Sequence, residues 1–170
     1  KNALLELHAS EEKYRLFFEN SLDGILLTNG KGEIFAANPA ACEIFGMTEE
    51  EICSGGRTAI LDESDPNWAL FIEERSRTGK AKAELRHFRK DGTVFLAEVA
   101  SVKFRNARGE TRTNTIIRDI TERKRAEAEV QESYEQIRRL TAHLQNVREE
   151  ERTHIAREIH DELGQQLTVM

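Results

Sequence analysis

The chain has 170 residues, 38% of them hydrophobic and 33% charged, with a net charge of −6 at pH 7. That balance suits a soluble chain made of one compact domain of roughly 100 residues and an extended remainder; it excludes a general nucleic-acid-binding surface, because the short basic run in "ERKRAE" cannot reverse the acidic excess. Apolar runs such as "GILL" and "TVFLAEVASV" fall short of the roughly 18 residues of a membrane span, no secretory leader is expected, and the two cysteines, Cys42 and Cys53, lack metal or disulfide spacing and suit a reducing, cytoplasmic setting.

From Lys1 to about Asn20, Leu4, Leu7, Tyr14 and Phe17 or Phe18 recur at helical spacing, which predicts an amphipathic entry helix. "GILLTNGKGEIFAAN" then predicts two short strands around "NGKG", with Asn29 and Gly30 expected at the positive φ angles of a tight hairpin. Asn38 followed by Pro39 is a helix start for "PAACEIFG", which Gly46 stops, and Thr48 with Glu51 form a capping box for the next helix. After the glycine-rich break "CSGGRT", Asp65-Pro66 opens "PNWALFIEERSRTG", where Trp68, Phe71, Ile72 and Arg75 share a face and Gly79 closes the helix. Three longer strands come next. "KAELRHFRK" turns at Asp91-Gly92 into "TVFLAEVASVKF", which turns through "RNARGE" into "TRTNTIIRDI". Two strands, several short helices and three hairpin-linked strands predict an α+β domain: an antiparallel five-stranded sheet with helices on one side.

At Thr121 the strand alternation ends, and the residues from there to Met170 include no Pro. Val130, Ile137, Leu140, Leu144 and Val147 have the 7-3-4-3 spacing of a coiled-coil seam, which predicts a parallel homodimer. Ile155, Ile159, Leu163 and Leu167 then recur in strict steps of four, which drift around the helix and imply a wider core, as in a four-helix bundle. His160 sits about 100° round the helix from Ile159, at the margin between core and solvent. Asp161 is placed to hold one imidazole tautomer, and Gly164 removes bulk one turn below.

The residues "EERTHIAREIHDELGQQLT" resemble the phosphoacceptor helix of sensor histidine kinases of the nitrate-sensor type, whose His-Asp-x-x-x-Gln signature is present as His160, Asp161 and Gln165. The block from "GILLTNGKGEIF" to "IIRDITERK" resembles a PAS sensor domain, ending in the family's Asp-Ile-Thr junction at Asp119, Ile120 and Thr121. The organisation expected is an entry helix over 1–11, a PAS domain over 12–120, a coiled-coil linker over 121–150 and the start of a dimerisation and phosphotransfer domain over 151–170. The resemblance implies a dimeric cytoplasmic kinase of a two-component system. His160 would attack the γ-phosphoryl of ATP, Asp161 would act as base or orienting partner, and Gln165 would position water when a response regulator is dephosphorylated. Asp119 and Arg123, four apart across the junction, would fix the angle at which the helix leaves the sheet. ATP and Mg²⁺ would be held by an ATP-binding domain beyond Met170, so this stretch is expected not to phosphorylate itself.

Two rival readings compete. A metal phosphohydrolase would draw further His and Asp ligands from other helices, and His143 and His154 share this helix, so no metal site is expected. A PAS domain with a coiled coil also serves as a non-enzymatic dimerisation module, but such outputs do not need the His160-to-Gln165 sextet. His8 and His87, like His143 and His154, are read as surface or strand residues. The PAS ligand stays open. "NWALFIEERSRTG" has no haem-binding His, and Cys53 in "ICSGGRT" lacks the photoreactive flavin motif, which leaves an ordinary flavin, a small metabolite or no ligand.

Overall fold

The computed structural model describes the backbone of residues 2–168 and the side chains of Glu6 and of residues 8–159. The chain divides into a compact unit, Lys1–Glu122, and a helical unit, Arg123–Met170. The compact unit opens with α1 (Asn2–Glu19), which continues past the expected start of the sensor domain at residue 12. Of the apolar face expected on it, Leu4 and Leu7 lie outside the described side chains; Tyr14 and Phe17 are exposed and Phe18 is half-buried. Next come β1 (Gly24–Thr28) and β2 (Ile34–Ala37), then four short helices: α2 (Pro39–Phe45), α3 (Glu49–Gly55), α4 (Arg57–Ile60) and α5 (Pro66–Thr78). Strands β3 (Lys80–Phe88), β4 (Val94–Arg105) and β5 (Thr111–Asp119) complete the unit.

The strands form one antiparallel sheet in the order β2-β1-β5-β4-β3, so the last strand runs between the first and fourth. Alternation decides which face is covered. Leu85 and His87 on β3, Phe95, Ala97, Val99 and Ser101 on β4, and Thr113, Thr115 and Ile117 on β5 are buried toward the helices, while Val102, Phe104 and Ile116 point the other way and remain exposed. Phe45 of α2 and Ile52 of α3 fill the space between, both fully buried. Helix α2 packs close on β1: a Cβ at Gly24 would stand 3.2 Å from the Ala41 Cα, tighter than a side chain tolerates without displacing backbone.

The local punctuation behaves as expected at most positions. Asn38 caps α2, and its buried carboxamide does more. Oδ1 accepts from the N–H groups of Ile25 (2.8 Å) and Ala41 (2.9 Å), and Nδ2 donates to the carbonyls of Phe18 and Asp23, both at 3.0 Å. All four bonds of the amide are used, so one side chain ties the end of α1, the start of β1 and the first turn of α2 together. Thr48 and Glu51 form the capping box of α3, and Gly46 and Gly79 end α2 and α5 in the left-handed conformation.

The first hairpin differs. Neither Asn29 nor Gly30 takes a positive φ; Gly32 does, at 95°. The Asn29 Oδ1 accepts from Lys31 N (2.9 Å) and Glu33 N (3.1 Å), so the side chain closes a longer loop and shifts the left-handed position to its far end. The helical unit is α6 (Thr121–Thr168), counted from the last residues of the compact unit, unbroken over 48 residues.

Candidate functional site

Three places carry the functional features, and the junction at the end of β5 is the best defined. Ile120 is buried, at 1% exposure, and its N–H donates to Leu96 O at 3.1 Å, which anchors the chain before α6 begins. The Asp119 Oδ1 accepts the Thr121 N–H (2.8 Å), satisfying a donor that the first turn of a helix leaves free. The Asp119 carboxylate also pairs with Arg89, just past β3. Arg89 donates to the Ile44 carbonyl and lies 4.2 Å over the Phe95 ring. Partial burial pushes the Asp119 pKa up, but the bonds from Thr121 and the Arg89 guanidinium outweigh it and hold the pKa below the ordinary carboxylate value. Arg123, the partner expected four residues on, is 3.9 Å from Glu127 on the next turn of α6. The contact between Asp119 and Arg89 is a long-range one, which local spacing could not reveal.

The second place is a cavity of about 50 Å³ between the sheet and helices α4 and α5. Leu26, Phe71, Leu85 and Ile117 give it apolar walls, and Arg57, Arg75 and Thr115 also line it. Arg75 is 6% exposed. Its Nη1 donates to Ser101 Oγ (3.1 Å), which is 3.0 Å from Thr115 Oγ1, and the buried Nε has no hydrogen-bond partner. Arg57 lies 4.9 Å over Trp68 and is paired with Glu63 at 2.7 Å. His87 also lines the cavity and is expected from sequence only as a strand or surface residue; it is 3% exposed, between Phe45 and Phe95. Burial pushes its pKa down from 6.5 to about 4, against smaller opposing effects of the Leu85 carbonyl and Asp65, so the ring is neutral at pH 7. Cys42 and Cys53 are half-buried against the core, and desolvation, aided by nearby glutamates, raises both thiol pKa values. Among the described residues no three His, Cys, Asp or Glu side chains are grouped to hold a metal ion, and no helix is long and apolar enough to cross a membrane.

Helix α6 carries the third. Val130, Ile137, Leu140 and Leu144 are 62 to 71% exposed, and Val147, Ile155 and Ile159 are exposed too, so among the described residues the apolar stripe faces outward on this single chain. The side chains of His160, Asp161 and Gln165 lie outside the described residues, although α6 includes all three positions. Sequence reasoning did not find Arg75 as a buried charge or Arg89 as the partner of Asp119. A basic residue on the same face as Trp68, Phe71 and Ile72 is the one signal that pointed to Arg75.

Known proteins resemble the chain in both parts. A PAS domain family model matches residues 22–122, and a histidine kinase family model matches residues 151–170. Sporulation kinase E of Bacillus subtilis is 30% identical over 76% of this chain and 17% of its own length. The sensor histidine kinase TmoS of Ectopseudomonas mendocina is 30% identical over 72% of this chain and 13% of its own length. The chain thus spans less than a fifth of the curated relatives it matches. Among solved structures, a PAS domain from Colwellia psychrerythraea has a TM-score of 0.59 at 22% identity, covering 65% of this chain and 97% of that one. The PAS domain of an HTR-like protein from Haloarcula marismortui has a TM-score of 0.57 at 25% identity, covering 70% and 98%.

Proposed function

The chain belongs to the PAS domain family, and from that membership we propose that it is the sensory and phosphoacceptor part of a cytoplasmic two-component sensor histidine kinase. The observation that carries the proposal is the order of parts on one chain. A PAS domain match over 22–122 precedes a histidine kinase match over 151–170, and a single helix, α6, runs from Thr121 through the acceptor segment.

In this reading the outward-facing stripe from Val130 to Val147 is buried by a second copy in a parallel dimer. A helix so polar elsewhere gains little stability alone and depends on packing its apolar face. His160 is the phosphoacceptor: its Nε2 lone pair forms the bond to the γ-phosphorus of ATP as the bond to the ADP oxygen breaks. Asp161 takes or orients the proton on the other ring nitrogen, which keeps the attacking nitrogen nucleophilic. Phosphate then passes to a response regulator. Gln165 orients the water that attacks the regulator's phosphoryl group when the same helix acts in reverse as a phosphatase. ATP and Mg²⁺ belong to an ATP-binding domain outside this chain, and the residues here supply only the nucleophile and its orientation. The signal reaches α6 through Asp119, Ile120, Thr121 and Arg123.

Phosphoryl transfer in a protein that includes the ATP-binding domain tests the roles. Asp161→Asn should slow autophosphorylation by about 10²- to 10⁴-fold, the range for a lost general base. Gln165→Ala should leave autophosphorylation intact and impair dephosphorylation of the regulator. Equal, mild effects of both would mean that this helix face is merely solvated.

A further inference from the structure

Strand register gathers at one end of the sheet cations that the sequence keeps apart. Lys80 of β3 is opposite Val102 of β4, Arg105 of β4 is opposite Thr111 of β5, and Thr28 of β1 is opposite both Thr113 of β5 and Ile34 of β2. The β1–β2 turn, the corner between α5 and β3 and the β4–β5 hairpin therefore meet at the end remote from the Ile120 junction. There, residues 29–33, 78–80 and 103–112 hold six Lys and Arg side chains against two Glu, a net charge of +4 in a chain whose total is −6. Both carboxylates are engaged locally: Glu110 pairs with Arg112 at 2.7 Å, and Glu33 accepts from the Asn29 carboxamide. Among the described residues no carboxylate is paired with Lys31, Lys80, Lys103, Arg105 or Arg108, and all of these but the half-buried Lys103 are exposed. Apolar side chains lie beside them. Val102 and Phe104 are 52% and 43% exposed on the outer face, and Phe35 is exposed beneath the Arg112 guanidinium, 4.1 Å from its ring.

We propose that this end of the compact unit binds the surface of an anionic lipid bilayer. Cations carried on three separate turns suit a flat, diffuse negative surface, and long Lys and Arg side chains reach it without a fixed contact geometry. Val102 and Phe104 favour a bilayer over a nucleic acid: an aliphatic side chain gains nothing from a phosphodiester backbone, whereas both residues can enter the apolar part of the headgroup layer. The acidic excess elsewhere does not cancel the attraction at this end. A nine-residue strand such as β3 is about 30 Å long, several times the screening length of about 8–10 Å, so charges at the far end are hardly felt. The surface goes beyond the kinase reading and does not depend on it. Vesicle binding is measured on this chain without ATP, so its failure and a failure of phosphoryl transfer are separate results.

The test is co-sedimentation of the chain with vesicles of phosphatidylcholine containing about 30% phosphatidylserine, and with vesicles of phosphatidylcholine alone. At about 0.1 M salt the anionic vesicles should bind the chain with half-saturation at about 1 mM lipid or below, as a net charge of this size near the surface implies. Binding should fall at least about tenfold at 0.5 M salt, and the neutral vesicles should not bind. Arg105→Gln with Arg108→Gln should weaken binding by about 30-fold, about fivefold for each cation. Lys31→Gln, on a turn more than 70 residues away in sequence, should weaken it about fivefold, whereas Lys90→Gln, the same loss of charge at the other end of the sheet, should not change it. All four side chains are exposed, so Trp68 fluorescence should confirm an intact fold in each variant. No binding to anionic vesicles at about 0.1 M salt, equal binding to neutral ones, an equal effect of Lys90→Gln and Lys31→Gln, or tighter binding to a single-stranded oligonucleotide than to the vesicles would overturn the proposal.

Discussion

Replacing Asp119 by Ala removes two things at the point where β5 gives way to α6: the acceptor of the Thr121 N–H and the anionic partner of Arg89. The first loss resembles loss of a helix cap and costs about 1 kcal/mol. The second is intermediate between an exposed pair, worth about 0–1 kcal/mol, and a buried one, where removing a partner costs about 3–5 kcal/mol. The side chains of Arg89 and Asp119 are 28% and 26% exposed, and Arg89 keeps the Ile44 carbonyl and the Phe95 face, so about 1 kcal/mol is the reasonable figure. Together they predict a loss of about 2 kcal/mol, or a fall in Tm of about 8 °C for a unit of this size. A weak exposed pair with Arg123 would instead leave Tm almost unchanged. Urea unfolding followed by the fluorescence of Trp68, the chain's single tryptophan, reports on the compact unit without interference from α6. Asp119→Asn retains an acceptor for Thr121 and should lose only about half as much, and a cycle with Arg89→Met should show coupling of about 1 kcal/mol. A loss below about 0.5 kcal/mol in Asp119→Ala, or no coupling in the cycle with Arg89→Met, would refute the Arg89 assignment.

Leu140→Lys with Leu144→Lys puts charge into the proposed seam and should convert the dimer to monomer in light scattering, while Trp68 fluorescence stays unchanged; a persistent dimer would place the interface elsewhere. His87 makes the compact unit acid-sensitive. Its folded pKa is depressed from 6.5 to about 4, so between those values the unfolded chain binds the proton that the folded one refuses. Stability is therefore complete above about pH 6.5 and falls by about 1.4 kcal/mol per pH unit toward pH 4, a total of about 3 kcal/mol. In His87→Phe, which keeps an aromatic ring between Phe45 and Phe95, urea midpoints over this range should be flatter than in the parent chain by that amount; parallel curves would show that other groups set the acid limit.

What was legible in the sequence was what short-range chemistry specifies. Asn38-Pro39, the Thr48 and Glu51 pair and Asp65-Pro66 each mark a helix start because the cap and its target lie within three residues, and the three runs from Lys82 onward with their turn residues deliver three strands. Helix α4 is too short for any period to register: "RTAI" is a single turn. The hairpin angle was misplaced because an Asn side chain can bond its own loop as readily as it adopts a left-handed backbone. The Asp119–Arg89 pair was invisible because strand register brings together residues 30 apart in sequence. Arg75 could be assigned to a face but not to a depth. Whether a long side chain snorkels to water or stays inside depends on how close the sheet packs beneath it.

Phosphate acceptance by His160 is central to the proposed function, and chemical identification of the modified residue tests it most directly. With γ-labelled ATP and a protein that includes the ATP-binding domain, the unaltered sequence should acquire acid-labile, base-stable phosphate on the peptide containing His160. His160→Gln should acquire none while keeping its helical circular dichroism, since Gln is a good helix former. Label retained in a folded His160→Gln protein, or found on a different residue of the unaltered one, would contradict the assignment.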